Sequence, residues 1–205
     1  ARVIREKVTL EAVGEEVRVL LGGEVQAFDA VVLSSGAWVK ELLEPLGYYV
    51  DVRPQKGQLI ELTLETTEDT SKWPVCMLHG EIDILPFPDG KILVGATHEN
   101  TQGFDLIPDE ELLNGMYEEA CASLPSLKNA KRSGVRVGTR AYTSDFLPFF
   151  GEVPNTTNAF VASGLGSSGL TSGVWIGECL ARMAAGEEVG FSVEKYTPQN
   201  YVRKV

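Results

Sequence analysis

A glycine-rich loop at residues 164–169 carries the strongest chemical signal in the chain, because its sequence Gly-Leu-Gly-Ser-Ser-Gly fits the pattern G-x-G-x-x-G. The apolar residues 159–162 predict a buried strand before it, and the apolar positions between Val174 and Ala184 predict a helix after it. Such an arrangement presents free backbone N–H groups and a positive helix end to an anion. The loop is therefore a candidate cradle for a phosphate or an anionic ring. A glycine-rich turn is also often only a tight connection, and the pattern leaves both interpretations open.

A second candidate is Arg136, in the short predicted strand at residues 134–138. A guanidinium group is planar and can pair with a carboxylate through two parallel hydrogen bonds. Arg136 lies in a locally basic segment, so an ordinary surface arginine is the simpler interpretation when the segment is considered by itself.

Composition narrows the class of partner and the cell compartment. The net charge of -11 disfavours a nucleic acid or an anionic membrane surface as partner, and no apolar run approaches the length of a membrane span. Three widely spaced cysteines predict reduced thiols and a cytoplasmic location. The two histidines, His79 and His98, are too few for a histidine-rich metal site, and the cysteines lack metal-ligand spacing, so we predict no metal.

The elements that must position these groups begin with antiparallel strands in residues 1–33, where Gly22-Gly23 marks a hairpin. Residues 29–33, apolar from Ala30 onward, predict a strand buried on both faces. That strand leads into a small-residue turn, residues 34–38, and a short helix, residues 39–46. A buried strand followed by such a turn and a helix is again typical of a ligand-binding sheet edge.

The middle of the chain predicts a second sheet. Residues 56–64 alternate between apolar and polar types, and further strands are predicted at residues 75–78, 82–86 and 91–96, giving an antiparallel sheet of about four strands. Residues 108–124 predict a helix that starts with Pro108 and carries an apolar face formed by Leu112, Leu113, Met116, Ala120 and Leu124. Residues 189–205 are mostly polar and predict an arm.

Several of these segments, in this order, resemble the D-amino acid oxidase-like family of FAD-dependent oxidoreductases, which includes glycine oxidase, sarcosine oxidase and the D-amino acid dehydrogenases. The motifs are DAVVLSSGAW at 29–38, RPQKGQ at 53–58, ILP with Gly90 and VGAT in 84–97, GVRVGT at 134–139, DFLPFFG at 145–151 and GLGSSGLT at 164–171. The resemblance covers nearly the whole chain.

The resemblance implies an α+β fold that combines parts of two domains. We expect the later strands of the FAD-binding, Rossmann-like domain in residues 1–50 and a substrate-binding domain with a mixed or antiparallel sheet and flanking helices in residues 51–133. Residues 134–188 would return to the FAD-binding domain and residues 189–205 would form a C-terminal arm. The family's N-terminal βαβ unit, which binds FAD, is not in the sequence, and the chain starts at Ala1 without an initiator methionine. The chain is thus expected to be a C-terminal piece whose partner is the N-terminal FAD-binding segment of the same polypeptide.

The resemblance also implies a chemistry, which is hydride transfer from an amino acid or secondary amine to FAD. Arg136 would hold the substrate carboxylate, with Asp83, Tyr142 and His98 as further candidate substrate-binding residues. The candidate cofactor-binding residues are Val8, Ser35, Gly36, Ala37, Trp38, Gly134, Arg136, Gly164, Gly166, Ser167, Ser168, Gly169, Leu170 and Thr171.

Three positions depart from the family pattern. Asp83 stands where relatives such as glycine oxidase have a tyrosine, Val137 stands where they have proline, and Leu165 stands where they often have histidine. A carboxylate at position 83 would repel a substrate carboxylate unless the substrate amine lies beside it. His98 at a strand end and Tyr142 in the core have simple structural interpretations as well.

Two alternative functions stay open. The chain could be a non-catalytic module that binds a small acid, or a small nucleotide-binding domain built on residues 164–169. A dinucleotide-binding unit would have a second strand ending in an acid about 20 residues after the loop. Glu187 and Glu188 lie at that distance but at the end of the predicted helix, so the loop does not open such a unit.

Overall fold

The computed structural model describes residues 1–78, 80 and 82–205. Its strands are, in chain order, β1 (Val8–Val13), β2 (Glu16–Leu21), β3 (Glu24–Gln26), β4 (Val31–Leu33), β5 (Tyr48–Val50), β6 (Arg53–Thr63), β7 (Cys76–Met77), β8 (Asp83–Pro86), β9 (Lys91–Gly95), β10 (Lys131–Tyr142), β11 (Phe149–Glu152), β12 (Ala159–Ser163) and β13 (Val202–Lys204). The α-helices are α1 (Val39–Leu43), α2 (Glu110–Ser123) and α3 (Gly169–Ala184). This mixture of sheets and few helices confirms the predicted α+β class.

The chain forms two compact units. Unit 1 contains Ala1–Arg53 together with Arg140–Val205, and unit 2 contains Pro54–Thr139. None of the helices in the described part of the chain has the length and apolar character needed to cross a membrane.

Unit 1 is built around a three-stranded sheet in the order β11-β12-β4. Strands β12 and β4 are parallel, with Phe160 opposite Val32, and β11 pairs with β12 antiparallel. Because neighbouring residues of a strand lie on opposite faces, the sheet has a core on each side. Phe160 and Ala162 pack with Ile176 and Leu180 of α3 on one side. The other core combines residues of β2, β4, β5, α1, β11 and β12.

Strand β4 is shorter and less buried than its sequence predicts. The structure confirms a strand only at Val31–Leu33, and Val32 is 43% exposed although an apolar run predicts burial on both faces. The physical reason is the position of β4 at the end of the sheet order, where one edge has no neighbouring strand among the described residues.

The last residues of the chain pack onto unit 1. Strand β13 pairs antiparallel with β5, and Tyr201 and Val202 are buried, with exposures of 5% and 1%. The Tyr201 ring stacks on Phe149, with 5.0 Å between ring centroids. Residues 189–205 thus contribute to the core of unit 1 despite their mostly polar composition.

Unit 2 contains a five-stranded sheet in the order β10-β6-β9-β8-β7. The four predicted strands of the middle segment are present, and β10 adds a fifth. Strands β6, β9 and β8 pair antiparallel, which places Ile60, Val94 and Ile84 in one row. These residues belong to the face that packs on Leu113, Met116 and Ala120 of α2.

Helix α2 begins at Glu110, two residues after Pro108, with which the sequence predicts the helix to start. Asp109 is the N-cap residue, and its side chain accepts hydrogen bonds from the backbone N–H groups of Glu111 and Leu112. Leu113 and Met116 face the core as predicted, but Leu112 is 44% exposed and does not belong to the buried face. The prediction for Leu112 was wrong because a helix turns about 100° per residue, and Leu113 already occupies the position that faces the sheet.

A buried lysine ties β6 to the segment that leads into α2. The Lys56 side chain is 3% exposed and its ammonium lies 2.9 Å from Asp105 Oδ2, and it also donates to the carbonyl oxygen of Ile107. Glu99 lies 3.9 Å from the same ammonium. A charge this far from water needs such partners, because an uncompensated buried charge is strongly destabilising.

Candidate functional site

Two loops meet at one edge of the sheet in unit 1. Because β4 and β12 run parallel, the loops that follow them leave the sheet at the same edge, and the Ser163 hydroxyl donates to the carbonyl oxygen of Gly36 at 2.8 Å. Each loop passes through a 3₁₀ turn, Gly36–Trp38 or Gly166–Ser168, directly into a helix. The two loop-and-helix segments predicted to bind a ligand therefore lie side by side.

The first loop leaves space above its glycine. Gly36 has φ +55°, a conformation that side-chain-bearing residues rarely adopt, and no atom of the described part of the chain lies within 4 Å of the position that a Cβ would take. The glycine is thus required by the turn itself, and the open space allows a ligand to approach the backbone closely.

The second loop packs tightly against its own chain. A Cβ at Gly164 would lie 2.8 Å from Thr143 Cγ2, and a Cβ at Gly166 would lie 2.9 Å from the Tyr142 ring. Both glycines have positive φ, at +74° and +54°. The loop is therefore a tight connection on its inner side, and Tyr142 is the residue that supports it there.

The outer side of the second loop and the start of α3 are open. Ser167, Ser168 and Thr171 are exposed, and Leu170 is fully exposed. The first N–H groups of a helix have no acceptors within the helix, and no side chain of the described residues caps the start of α3. These groups can donate to an anion, since the helix end carries a partial positive charge.

A pocket of about 370 Å³ in unit 1 brings together three predicted cofactor-binding residues, Val8, Ser35 and Trp38. The remaining lining residues are Lys7, Thr9, Leu10, Glu41, Leu42 and Pro45. The Ser35 hydroxyl is buried and has no hydrogen-bond partner among the described residues. A buried hydroxyl without a partner is unusual in proteins, so this pocket fits a ligand that hydrogen-bonds to Ser35.

A hydrogen-bonded bend holds Tyr142 and the glycine loop in place. The Thr143 hydroxyl donates to the carbonyl oxygen of Leu147 at 2.7 Å, and the Tyr201 hydroxyl donates to Asp145 Oδ2 at 2.9 Å. Burial and the neighbouring Asp145 carboxylate raise the pKa of Tyr201 to about 12. Burial acts to raise the pKa of Asp145, but hydrogen bonds from Leu147, Tyr201 and Thr143 together hold that pKa below its ordinary value.

Arg136 lies in unit 2 on β10, where its Nε donates to Glu61 Oε1 on the neighbouring strand β6. The Arg136 side chain is 57% exposed, whereas that of Glu61 is 19% exposed. Lys91 lies 3.9 Å from the same carboxylate oxygen. Gly134 makes room for the pair, because a Cβ there would lie 3.2 Å from Glu61 Oε2.

The structure places the other predicted substrate-binding residues at different positions. Asp83 on β8 lies opposite Gly95 on β9. Because side chains alternate between the two faces of a strand, Asp83 lies on the sheet face that carries Glu61, away from α2. His98 is exposed and lines a cavity of about 610 Å³ together with residues of α2, including Met116. Tyr142 belongs to unit 1, where it contacts Gly166. His79 lies outside the described residues.

Glu61 is a residue at the candidate site that the sequence interpretation missed. The alternating pattern of β6 places Glu61 on the wet face of the sheet, but it does not reveal which residue of a distant strand lies beside it. Only the pairing of β6 with β10 brings its carboxylate to Arg136. No group of histidine, cysteine, aspartate and glutamate side chains in the described part of the chain could hold a metal ion.

Comparison with known proteins gives consistent matches. The family model described as FAD dependent oxidoreductase (DAO) matches residues 1–183. The uncharacterized oxidoreductase YurR of Bacillus subtilis (strain 168) is 40% identical over 175 residues, which cover 84% of this chain and 46% of YurR. The glycine oxidase of Pseudomonas aeruginosa is 31% identical over 176 residues, which cover 86% of this chain and 47% of that enzyme.

A solved structure agrees with these matches. The crystal structure of iminodiacetate oxidase (IdaA) from Chelativorans sp. BNC1 superposes with a TM-score of 0.90 and 33% identity, covering 94% of this chain and 52% of that one. The chain thus spans about half the length of the relatives it matches.

Proposed function

Because the chain belongs to the DAO family of FAD-dependent oxidoreductases, we propose that it is the C-terminal part of an enzyme that oxidises the C–N bond of an amino acid or a secondary amine. When bound, FAD, the cofactor of the family, would accept a hydride from the carbon beside the substrate nitrogen. The substrate classes follow from the relatives, a glycine oxidase and an iminodiacetate oxidase. The observation that carries the proposal is the pair of loop-and-helix segments at one sheet edge, with open space above Gly36.

The residues of unit 1 fit a flavin nucleotide. The N–H groups at the start of α3 would donate to an anionic part of the cofactor, which is electrostatic stabilisation of the kind found in oxyanion sites. Ser35 would gain the hydrogen-bond partner that it lacks among the described residues. Gly36 would let the cofactor approach the end of β4.

The N-terminal FAD-binding segment of the same polypeptide is the proposed partner of unit 1. Strand β4 lies at the end of its sheet, and Val32 on it is 43% exposed. The side chains of Leu170 and Val174 on α3 are 100% and 84% exposed. Covering these apolar surfaces with the preceding segment would be favourable, since each square ångström of apolar surface removed from water contributes about 25 cal/mol. The free cysteines at 76, 121 and 179 support the further proposal of a cytoplasmic location.

The proposed role of Arg136 is to hold the substrate carboxylate. Its guanidinium is more than half exposed and presents five N–H donors, of which the pair with Glu61 uses Nε. The two terminal amino groups match the geometry of a second carboxylate. The protein's contribution to the reaction would be to fix the substrate carbon in one orientation.

The test is steady-state and anaerobic flavin-reduction kinetics of the full-length protein with glycine and N-methylglycine. Arg136→Ala is expected to raise the KM by about 100-fold, which corresponds to the loss of charge-assisted hydrogen bonds, and to leave the FAD content unchanged. Arg132→Ala is the matched control, because Arg132 lies on the same strand but pairs with Glu110. Unchanged kinetics in Arg136→Ala would remove this residue from the site. A bound flavin that no amino acid or amine reduces would favour the non-catalytic alternative.

A further inference from the structure

The sheet face of unit 2 that lies away from α2 carries charges of both signs. Arg136 and Lys91 contribute positive charges, and Glu61 contributes a negative charge that contacts both. Asp83 adds a second carboxylate to this face, two strands away from Glu61, since the sheet order places β9 between β6 and β8. These four charges, two positive and two negative, therefore balance.

Glu61 is held in a defined position. Its side chain is 19% exposed, far less than the 57% of Arg136, and Gly134 leaves the space that its carboxylate occupies. It accepts from Nε, the side-on donor of the guanidinium. An acceptor at this position constrains the plane of the guanidinium and leaves its end-on edge, formed by the two terminal amino groups, for a second carboxylate.

We propose that Glu61 is a specificity-determining residue of the Arg136 site, which orients the guanidinium and selects substrates with one carboxylate and a cationic amine over substrates with a second carboxylate. This inference rests on the proposed function and names its substrate class. A zwitterionic amino acid adds no net charge to a face that is already balanced. A second carboxylate adds a negative charge that Glu61 and Asp83 repel.

The size of the effect follows from Coulomb's law. Two unit charges roughly 7 Å apart at an effective dielectric constant of ~20 interact strongly enough to change an affinity by more than about tenfold, and salt screening reduces this to about 10-fold. Glu61→Gln removes the charge but keeps an oxygen that accepts from Arg136 Nε. The orientation of Arg136 is then retained, so charge and geometry are tested separately.

The experiment compares matched ligands on the full-length protein. Methoxyacetate and oxydiacetate are ethers without an oxidisable amine and differ by one carboxylate, so calorimetry can measure their binding without turnover. Glu61→Gln is expected to lower the Kd of oxydiacetate about 10-fold more than the Kd of methoxyacetate. The kcat/KM ratio of N-methylglycine to iminodiacetate should fall by about the same factor. Glu65→Gln is the control, because it removes an exposed carboxylate just after β6.

Each outcome has a defined meaning. Equal changes for both ethers in Glu61→Gln, or the same change in Glu65→Gln, would overturn the inference, as would the absence of methoxyacetate binding in both wild type and Glu61→Gln. If Glu61→Gln does not fold, Glu61→Ser replaces it as the variant that removes the charge. Glu61→Ser should also weaken methoxyacetate binding, because the acceptor for Arg136 Nε is lost. If neither amine reduces the flavin of the wild type, the proposed function fails, and the calorimetric comparison still decides the role of Glu61.

Discussion

Gly166→Ala tests how the glycine loop is held against Tyr142. Gly166 has φ +54°, and a Cβ there would lie 2.9 Å from two atoms of the Tyr142 ring. The left-handed backbone costs a residue with a side chain about 1–2 kcal/mol, and overpacking a buried contact costs about 1–3 kcal/mol. The expected loss of unfolding free energy is therefore about 3 kcal/mol.

Substitutions at two other glycines separate the cost of the left-handed backbone from the cost of the clash with Tyr142. Gly36→Ala carries the same backbone cost at φ +55° but meets no atom within 4 Å, so it should lose only about 1–2 kcal/mol. Gly177→Ala lies inside α3 with open space around it and should gain up to about 1 kcal/mol through helix propensity.

Equilibrium urea unfolding, followed by tryptophan fluorescence and circular dichroism, measures all three variants. Combining Gly166→Ala with Tyr142→Leu should cost at least about 1 kcal/mol less than the sum of the two single changes, because the clash is then relieved. The reasoning is refuted if Gly166→Ala is no more destabilising than Gly36→Ala, or if the double variant is additive.

Three further predictions concern contacts within unit 1 or within unit 2. Tyr201→Phe removes the donor to Asp145 and should cost about 1 kcal/mol in urea unfolding at neutral pH. Because the folded-state pKa of Tyr201 is raised to about 12, wild-type stability should fall between pH 10 and pH 12 and approach that of Tyr201→Phe, which lacks this titration. Asp109→Ala removes the N-cap of α2 and should cost about 1 kcal/mol, measured by thermal unfolding. Lys56→Met removes the cation beside Asp105 and leaves the Glu99 carboxylate, which is only 11% exposed, without a compensating charge, so it should cost about 3 kcal/mol in urea unfolding.

Each of these predictions has a control on an exposed residue, of the same type for the tyrosine and the lysine and another acidic residue for Asp109. Tyr49→Phe, Glu118→Ala and Lys72→Met should each change stability by less than about 0.5 kcal/mol, since surface substitutions usually do. Equal effects in a variant and its control would contradict the role assigned to the buried residue. A constant gap between wild type and Tyr201→Phe from pH 9 to pH 12 would contradict the assignment of the pKa shift to Tyr201.

The sequence predicted the parts of the fold that depend on local pattern. The strand, glycine loop and helix at residues 159–184 follow from apolar periodicity, and the structure contains them. A helix was also predicted from Pro108 onward, and the structure contains α2 with its first residue at Glu110. The family resemblance rested on short motifs in a fixed order, and the family match over residues 1–183 confirms it.

The features that the sequence did not predict depend on contacts between distant residues. The pair of Glu61 and Arg136 requires the pairing of β6 with β10, which an alternating pattern does not specify. Tyr201 and Val202 are two apolar residues in a polar tail, and their burial becomes evident only when β13 pairs with β5. Val32 is the opposite case, an apolar residue that is exposed, because an apolar run gives no information about which strand lies at the sheet edge. The assigned roles of the individual cofactor- and substrate-binding residues stay predictions.

The most direct test of the proposed function is the visible absorption spectrum of the full-length protein, recorded anaerobically before and after addition of glycine or N-methylglycine. The proposal predicts one bound flavin per chain, whose visible absorbance is lost on addition of an amino acid substrate. A protein that binds no flavin, or whose flavin stays oxidised with every amino acid and secondary amine tested, would contradict it.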